Sequence, residues 1–209
     1  MPNYHIPLQP SETYHLFSRA VGDEKLFLND ENYYFFLRKV AQHVLPISEI
    51  FTYSLLPNHF HLLVRILPFE KVKDEFEKIK AKPFQQEEHS ISDFIMERFS
   101  NLLNSYTKAF NKVNKRKGAL FMDYLKRSVV NTDQDFTSYI FYIHKNAVHH
   151  SLANKIGFWK FDGYKTMVSN SSTLLLRGEV LHWFGGLEYF IKFHSQEIQT
   201  KNSSFENLE

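Results

Sequence analysis

The chain has 209 residues, 43% hydrophobic and 16% aromatic, so it can bury a substantial core, and we expect one domain with an appendage. Its formal net charge of +2 gives no argument for nucleic-acid binding, which would have to rest on local clusters of charge. The lack of cysteine excludes disulfides, cysteine nucleophiles and thiolate metal sites. No apolar run approaches about 18 residues and no N-terminal signal pattern is visible, so we expect a cytoplasmic protein without membrane association.

Strand-like and helix-like stretches alternate along the first part of the chain. We predict a strand at residues 13–20 and a helix from a cap at Asn29 or Asp30 to about Val44. A strand at 47–54 and a strand from His59 should form an antiparallel pair around the Pro57-Asn58 turn. Residues 68–90 alternate in charge, and we expect them to form a solvated insertion or a mobile loop.

The second part of the chain continues the alternation. A helix should start near Ser90 or Ser92 and break at Gly118, a strand should follow at 119–130, and a third helix should run from a cap at Thr132 or Asp133 to about His150. The order β-α-β-β-α-β-α predicts an α+β fold, a ferredoxin-like antiparallel sheet (βαββαβ) with an extra C-terminal helix. Residues 1–150 would form this domain. Residues 151–209 would form a small helical appendage, with a helical segment at 178–193 and a frayed tail from Ser195.

The most informative segment is 55–64, Leu-Leu-Pro-Asn-His-Phe-His-Leu-Leu-Val. His59 and His61 share one face of a predicted strand, with their Cα atoms about 6.6 Å apart. Both rings can therefore reach one divalent ion, which histidine nitrogen binds at about 2.1 Å. On spacing alone, the simpler interpretation is a pair of ordinary sheet histidines. A site is favoured because a separate apolar row can pack beneath helices; that row is Phe60, Leu62, Val64 and Ile66.

The third predicted helix carries two polar side chains on one flank. Tyr142 and Asn146 are spaced i, i+4, so both can face one cleft. Imidazole nitrogen and amide oxygen can hold Mg²⁺ or Mn²⁺ while leaving positions open for phosphate oxygens, and a tyrosine can attack phosphorus to form a covalent intermediate. Taken alone, a tyrosine at the edge of a helix face is usually structural. The face that should pack downwards is made by Phe136, Ile140, Ile143 and Ala147.

Two of these segments together carry a resemblance to a known family. Residues 57–64, Pro-Asn-His-Phe-His-Leu-Leu-Val, and residues 142–146, Tyr-Ile-His-Lys-Asn, resemble the single-tyrosine transposases of small bacterial insertion sequences, most closely their REP-associated branch. The resemblance covers about residues 10–150. It includes 14–19 in the first strand and 118–121 at the start of the fourth, with weaker similarity at 169–172 and 180–186.

The resemblance implies a function and a role for each site residue. His59, His61 and Asn146 would be ligands of Mg²⁺ or Mn²⁺, and Tyr142 would be the nucleophile. Residues 1–150 would be a transposase catalytic domain that cleaves and rejoins single-stranded DNA with hairpin elements, through a 5′-phosphotyrosine intermediate. The enzyme would act as a monomer or a homodimer.

Some positions depart from the family pattern or compete with the assigned roles. The branch usually has an apolar residue, a proline and an arginine where this chain has Lys145, Ala147 and His149, and these departures concern substrate details more than chemistry. Tyr139 is the rival nucleophile, but the residue four positions after it is Ile143, which cannot bind a metal. Tyr142 is therefore preferred.

Local charge supports contact with DNA although the net charge does not. Basic residues make up half of the stretch 108–117, which contains no acidic residue, and more follow on the next predicted strand. Such a patch can neutralise phosphates, although a solvated helix end rich in cations is the simpler interpretation without the catalytic residues. The candidate DNA-binding residues are Arg19, Lys108, Lys112, Lys115, Arg116, Lys117, Lys126 and Arg127.

Two other functions are compatible with the same residues. One is a domesticated DNA-binding protein that holds hairpin DNA without cleaving it. The other is a metal-dependent phosphodiesterase that uses water as its nucleophile, in which Tyr142 would be dispensable.

Overall fold

An antiparallel sheet of four strands forms the centre of the fold in this computed structural model, which describes residues 6–122 and 125–196. The strands are β1 (Thr13–Arg19), β2 (Ser48–Leu56), β3 (His59–Ile66) and β4 (Lys126–Val129), in the spatial order β2-β3-β1-β4. The helices are α1 (Asp30–His43), α2 (Phe69–Lys80), α3 (Ile91–Val113), α4 (Asp133–His149), α5 (Tyr164–Met167), α6 (Arg177–Trp183) and α7 (Leu187–His194). This strand order, with α1 and α3 as the crossovers, is ferredoxin-like, so the predicted fold class is confirmed.

Three of the long helices begin at a side-chain cap. Asn29, Ser90 and Thr132 each accept a hydrogen bond from the backbone N–H three residues later, at the start of α1, α3 and α4 respectively. A side-chain oxygen at this position satisfies one of the N–H groups that a helix start leaves without an intrahelical partner. The starts that the sequence predicted for these three helices are therefore confirmed.

One face of the sheet packs against α1 and α3 and forms the larger core. The even-numbered residues of β3, from Phe60 to Ile66, are fully buried there. Phe36 of α1 and Tyr106 of α3 meet edge to face, with ring centroids 5.2 Å apart, and the Tyr106 hydroxyl donates to the Leu26 carbonyl oxygen at 2.6 Å. Because the apolar row of β3 faces this core, the odd-numbered residues face the opposite side.

The opposite face of the sheet packs against α4. Phe136, Ile140 and Ile143 of α4 are buried against Leu63 of β3. A β-bulge between Ile50 and Thr52 turns Phe51 towards this second core, where its ring meets the Phe136 ring edge to face at 4.8 Å. The predicted packing face of the third helix is therefore confirmed.

The charged segment 68–90 differs from the expectation of a loop. Residues Phe69–Lys80 form α2, which packs against α3 with Val72 and Phe76 buried. These apolar residues lie i, i+4 within a run of alternating charges, so they form one stripe that packs against α3. The alternating charges predicted a loop, but residues Phe69–Lys80 form an amphipathic helix.

Of two other predicted elements, one is shorter than expected and one is interrupted. The regular part of the fourth strand is Lys126–Val129, whereas Phe121 makes only an isolated bridge with Ala20; residues 123 and 124 lie outside the described part of the chain. The helical segment expected at 178–193 is divided into α6 and α7 by Gly185 and Gly186, whose φ angles of 80° and 116° favour glycine. The predicted frayed tail is described only as far as residue 196.

The chain after α4 covers the outer edge of β2. The Leu55 N–H donates to the Phe161 carbonyl oxygen at 2.8 Å, and the Gly163 N–H donates to the Tyr53 carbonyl oxygen at 2.9 Å. Asp162 lies between these bonds and opposite Ser54. Within residues 6–122 and 125–196, no helix combines the length and apolar character needed to cross a membrane.

Asp162 is an acidic side chain almost fully removed from water. Its Oδ1 accepts the Tyr164 N–H at 3.0 Å, whereas its Oδ2 has no hydrogen-bond partner among the described residues. Burial raises the pKa of Asp162 from 3.8 to about 7, and the Tyr164 bond opposes that rise only in part. Ionised Asp162 therefore destabilises the folded chain.

We expect the free energy of unfolding to depend on pH through Asp162. The folded-state pKa lies above the unfolded one, so the stability contributed by the neutral carboxyl is complete near pH 4 and is lost as pH rises through 7. Asp162→Asn removes the charge and keeps the Oδ1 acceptor. It should be more stable than wild type at pH 8, by on the order of 3 kcal/mol, and about equal at pH 4.

Urea unfolding at pH 4, 6 and 8 measures this difference. Asp74→Asn, on the exposed side of α2, is the matched control and should follow the wild-type curve. Parallel pH curves for wild type and Asp162→Asn would show that the carboxyl does not titrate as described.

Candidate active site

The two histidines of β3 lie on the face that α4 covers. His59 pairs with Arg19 of β1 and Leu56 of β2, and His61 pairs with Phe17 and Ser54. His61 is buried and His59 is half-buried. Their rings are 5.2 Å apart and nearly perpendicular, with an interplanar angle of 88°. The shared face predicted from the His-x-His spacing is therefore confirmed.

Asn146 of α4 joins the two rings. Its Oδ1 lies 3.2 Å from His59 Nε2, and its Nδ2 lies 3.0 Å from His61 Nε2. The amide is itself buried, with 1% of the residue exposed. The structure thus brings together the three residues that the sequence nominated as metal ligands, and both Nε2 atoms point at the same group.

Each of these imidazoles has a partner at its other nitrogen. His59 Nδ1 lies 2.8 Å from Asn58 Oδ1, and His61 Nδ1 lies 2.9 Å from His15 Nε2. At His59 the Asn58 oxygen holds the proton on Nδ1. At His61 the Asn146 Nδ2–H donates to Nε2, which places the His61 proton on Nδ1 towards His15. Hydrogen bonds of this kind orient histidines that ligate metals in proteins.

The contacts of His59 indicate a place for a cation. Each nitrogen of its ring faces an amide oxygen, Asn58 Oδ1 on one side and Asn146 Oδ1 on the other. A neutral imidazole has only one N–H, so with the proton on Nδ1 the lone pair of Nε2 faces a lone pair of Asn146. A cation between Nε2 and this oxygen would remove the repulsion, and two imidazoles with an amide oxygen suit a divalent transition metal. The residues present therefore fit such an ion.

The donor set is nevertheless unusual in its composition. In the described ranges, no three His, Asp or Glu side chains are grouped closely enough to hold a metal ion. A third protein ligand would have to be another kind of group, and the Asn146 oxygen lies 3.2 Å from His59 Nε2. Three protein ligands would leave coordination positions open for water or for oxygen atoms of a substrate.

Burial dominates the electrostatics of the inner histidines. It lowers the pKa of His15 to about 3, and it holds the pKa of His61 well below its ordinary value, with smaller contributions from His15, His59 and His150. Both rings are therefore neutral near pH 7, the form that can present a lone pair.

Tyr142 lies beside the histidine pair, one helical turn before Asn146. Its ring meets the His61 ring edge to face, with centroids 5.5 Å apart and an interplanar angle of 86°. The rival Tyr139 packs on His15, with centroids 4.9 Å apart, and Tyr142 also meets the His15 ring, at 5.9 Å. The i, i+4 spacing thus places Tyr142 and Asn146 over the same histidine.

Two site residues were not predicted from the sequence. His15 of β1 is fully buried behind His61, and His150 meets the His59 ring edge to face at 4.7 Å. A signal for His15 was available in principle, since it lies in a strand whose alternate residues face α4. His150 follows Asn146 by four residues, which places both on one helix flank.

Four lysines of the predicted basic patch are exposed. They are Lys108, Lys112, Lys115 and Lys117, on the last turns of α3 and in the loop after it. This loop runs on to the end of β1, where the Met122 N–H donates to the Arg19 carbonyl oxygen at 2.7 Å. Arg19 is exposed and pairs with His59. The loop that carries Lys115 and Lys117 therefore leads to the strand end that holds Arg19 and His59, whereas α3 packs on the opposite face of the sheet from the histidines.

The other predicted basic residues have different environments. Lys126 is half-buried, with its amine 5.8 Å from the centroid of the Phe17 ring, on the face of the sheet that carries His61. The Arg116 guanidinium is bound by Glu24 at 2.6 Å and by the Gly118 carbonyl oxygen at 3.1 Å.

Arg127 is 7% exposed and donates to the Ile6 and Leu125 carbonyl oxygens. Arg116 and Arg127 thus use donors within the fold, and their contact with DNA stays a prediction.

Comparison with solved structures identifies a relative of this fold. A REP-associated tyrosine transposase bound to a REP hairpin superposes with a TM-score of 0.60 at 14% sequence identity, over 86% of this chain and 93% of that chain. No protein-family model matches the sequence, and no curated protein matches it either. At this identity the similarity establishes a shared fold, the fold of the transposase branch that the sequence resembles.

Proposed function

We propose that this protein is a metal-dependent transposase that nicks and rejoins single-stranded DNA at hairpin-bearing ends through a phosphotyrosine intermediate. The observation that carries the proposal is the bridge between Asn146 and both Nε2 atoms of the histidine pair, with Tyr142 packed on His61. The shared fold with a hairpin-bound tyrosine transposase supports the choice of DNA.

In this proposal His59, His61 and Asn146 hold Mg²⁺ or Mn²⁺. When bound there, such an ion would supply Lewis-acid polarisation of a phosphate. The chain itself orients the ligands, through Asn58 and His15 at the Nδ1 atoms, and excludes water from the inner side of the site by burying His61 beneath α4. The single DNA strand would approach along Arg19 and the α3 lysines, whose charges attract the phosphates of the DNA backbone.

The covalent step uses the Tyr142 oxygen. Once DNA binding has exposed it, the phenol loses its proton to solvent, its oxygen forms a bond to phosphorus, and the bond from phosphorus to the 3′-oxygen breaks. The leaving 3′-oxygen takes up a proton, so the products are a 3′-hydroxyl and a 5′-phosphotyrosine. Attack by an incoming 3′-hydroxyl reverses the step and rejoins strands, because the phosphotyrosine retains the energy of the broken bond.

The proposed site is complete within one chain. Tyr142 and Asn146 contact the histidines of their own sheet, and a continuous core formed by Phe136, Ile140 and Ile143 holds α4 against that sheet. We therefore propose that Tyr142 acts on DNA bound at its own histidine pair.

A non-cleaving DNA-binding protein is the second candidate, and one observation favours it. The Tyr142 hydroxyl oxygen is buried in this structure. Cleavage therefore requires that DNA binding bring this oxygen and the scissile phosphate together, whereas holding a hairpin requires no such rearrangement.

Loss of one histidine should abolish metal binding. His59→Ala removes a half-buried proposed ligand, and His61→Ala removes the buried one together with its bonds to Asn146 Nδ2 and His15 Nε2, at a cost of roughly 1–3 kcal/mol. Calorimetric titration with Mn²⁺ should show binding by wild type and by His182→Ala, an exposed histidine of α6, but not by either variant. Unchanged Mn²⁺ affinity in both variants would remove the metal from the proposal.

Tyr142→Phe should abolish cleavage while preserving DNA binding. The change removes one oxygen and keeps the ring packed on His61, so thermal stability should move by only a few degrees. The probe is a set of labelled single-stranded oligonucleotides tiling the flanks of this protein's own gene. Wild type should give a band that migrates slowly, survives boiling in detergent and disappears with protease, as a covalent adduct does.

Tyr139→Phe is the matched control and should cleave like wild type. A Tyr142→Phe variant that cuts near the wild-type rate would identify water as the nucleophile and favour the phosphodiesterase. Binding without cleavage by wild type at every oligonucleotide would favour the DNA-holding protein.

The α3 lysines should determine the salt dependence of binding. Replacing Lys112, Lys115 and Lys117 with Ala should weaken single-strand binding and reduce the slope of log affinity against log salt by about two units, at ~0.7 per lost phosphate contact. The control removes the same charge from α2, with Lys71, Lys73 and Lys78 replaced. Equal effects of the two triple variants in fluorescence anisotropy would show that only net charge matters.

A further inference from the structure

A buried histidine of α4 lies between Tyr142 and Asn146 and belongs to neither the metal set nor the nucleophile. His144 is fully buried, with its Nε2 2.6 Å from the Thr52 hydroxyl of β2 and its Nδ1 3.0 Å from His194 Nε2 of α7. The ring therefore connects α4, the helix that carries Tyr142, with the sheet on one side. On the other side it connects α4 with residues 163–194, which we call the C-terminal segment. We call Thr52, His144 and His194 the histidine relay.

The direction of the relay follows from its last acceptor. His194 Nδ1 lies 2.8 Å from the Phe190 carbonyl oxygen, which can only accept, so the proton of His194 is on Nδ1. Its Nε2 then accepts from His144 Nδ1–H, and His144 Nε2 accepts from the Thr52 hydroxyl. With neutral rings every donor has an acceptor, and the order Thr52, His144, His194, Phe190 is the only one that satisfies all of them.

The surroundings of the relay are tightly packed. The Phe190 ring lies 4.1 Å from the His194 ring, and the Tyr164 ring meets His144 edge to face at 5.6 Å. A Cβ atom on Gly163 would lie 2.3 Å from the Thr52 Oγ1 atom, so the chain approaches Thr52 as closely as glycine permits. Gly163, Tyr164 and Phe190 thus contact the relay at more than one point.

The position of His144 determines where its neighbours on α4 point. It lies two residues from both Tyr142 and Asn146, and a helix turns about 100° per residue, so a fixed His144 fixes the rotation of both. Thr52 pairs with Leu63, two residues beyond His61 on the same face of the sheet. The hydrogen bond from Thr52 to His144 therefore fixes where α4 lies on the sheet relative to the histidine pair.

We infer that the histidine relay is a positioning device for the proposed reaction, and that the C-terminal segment acts as a clamp that holds Tyr142 and Asn146 in register with His59 and His61. The inference rests on the proposed function, because it gives the relay a task in the nicking step. Thr52, His144 and His194 act through α4 and are positioning residues.

Two substitutions at Thr52 separate positioning from packing. Thr52→Val keeps the volume and removes the hydroxyl donor, whereas Thr52→Ser keeps the donor and removes a methyl group. Under single-turnover conditions with saturating oligonucleotide, Thr52→Val should form the covalent adduct about 10- to 100-fold more slowly, as expected for a misplaced reacting group. Thr52→Ser should stay within about threefold of wild type, and DNA affinity should be unchanged in both.

His194→Phe tests the relay from its other end and keeps the experiment decisive if Thr52→Val does not fold. It removes the acceptor of His144 and keeps an aromatic ring beside Phe190. It should slow adduct formation as Thr52→Val does, and the double variant should lose less than the sum of the two effects, because both act through His144. Wild-type rates for Thr52→Val and His194→Phe, or equal losses for Thr52→Val and Thr52→Ser, would overturn the inference.

Hydrogen exchange distinguishes failure of this inference from failure of the proposed function. If wild type forms no adduct, the proposed function is wrong, and the clamp is then tested by exchange alone. Amides of α4 around residues 140–148 should exchange faster in Thr52→Val and His194→Phe than in wild type and Thr52→Ser. Unchanged exchange in this part of α4 would overturn the clamp itself.

Discussion

The site depends on one side-chain amide that must reach two imidazoles at once. Asn146 lies on α4 and the histidines lie on β3, so its contacts of 3.2 Å and 3.0 Å with their Nε2 atoms require the helix to lie on one face of the sheet at one height and rotation. The bulge that turns Phe51 towards α4, the core around Ile140 and Ile143, and the histidine relay all act on this placement. Tyr142 faces His61 as a consequence.

Because alternate residues of a β-strand face opposite sides, one face of β3 can contribute to the core while the other carries the site residues. In β3 the residues that face α1 and α3 are apolar and fully buried, whereas those that face α4 include His59, His61 and Arg65. Burying a polar group without a partner destabilises the fold, and the polar side chains between the sheet and α4 bond to one another. Arg65, for example, binds Glu49 of β2 at 2.6 Å and Glu179 of α6 at 2.7 Å, which ties the C-terminal segment to the sheet.

Features that depend on neighbouring residues could be predicted from the sequence. The caps Asn29, Ser90 and Thr132, the alternation around His59 and His61, and the i, i+4 pair on α4 are all of this kind. Contacts between distant residues could not be predicted in this way, because no local pattern links His15 to His61 or Thr52 to His144, which lie 46 and 92 residues apart. The same limit explains Arg127, which is basic in sequence but donates to backbone carbonyls inside the fold.

The chemical identity of the covalent link tests the central claim most directly. Wild type is incubated with Mn²⁺ and the single-stranded oligonucleotides from the flanks of its own gene, and the adduct is digested with protease and nuclease. Tandem mass spectrometry of the peptide that spans α4 should locate a nucleotide phosphate on Tyr142, with Tyr139 unmodified. A phosphate on Tyr139, or cleaved DNA without any modified peptide, would contradict the assignment of Tyr142 as the nucleophile.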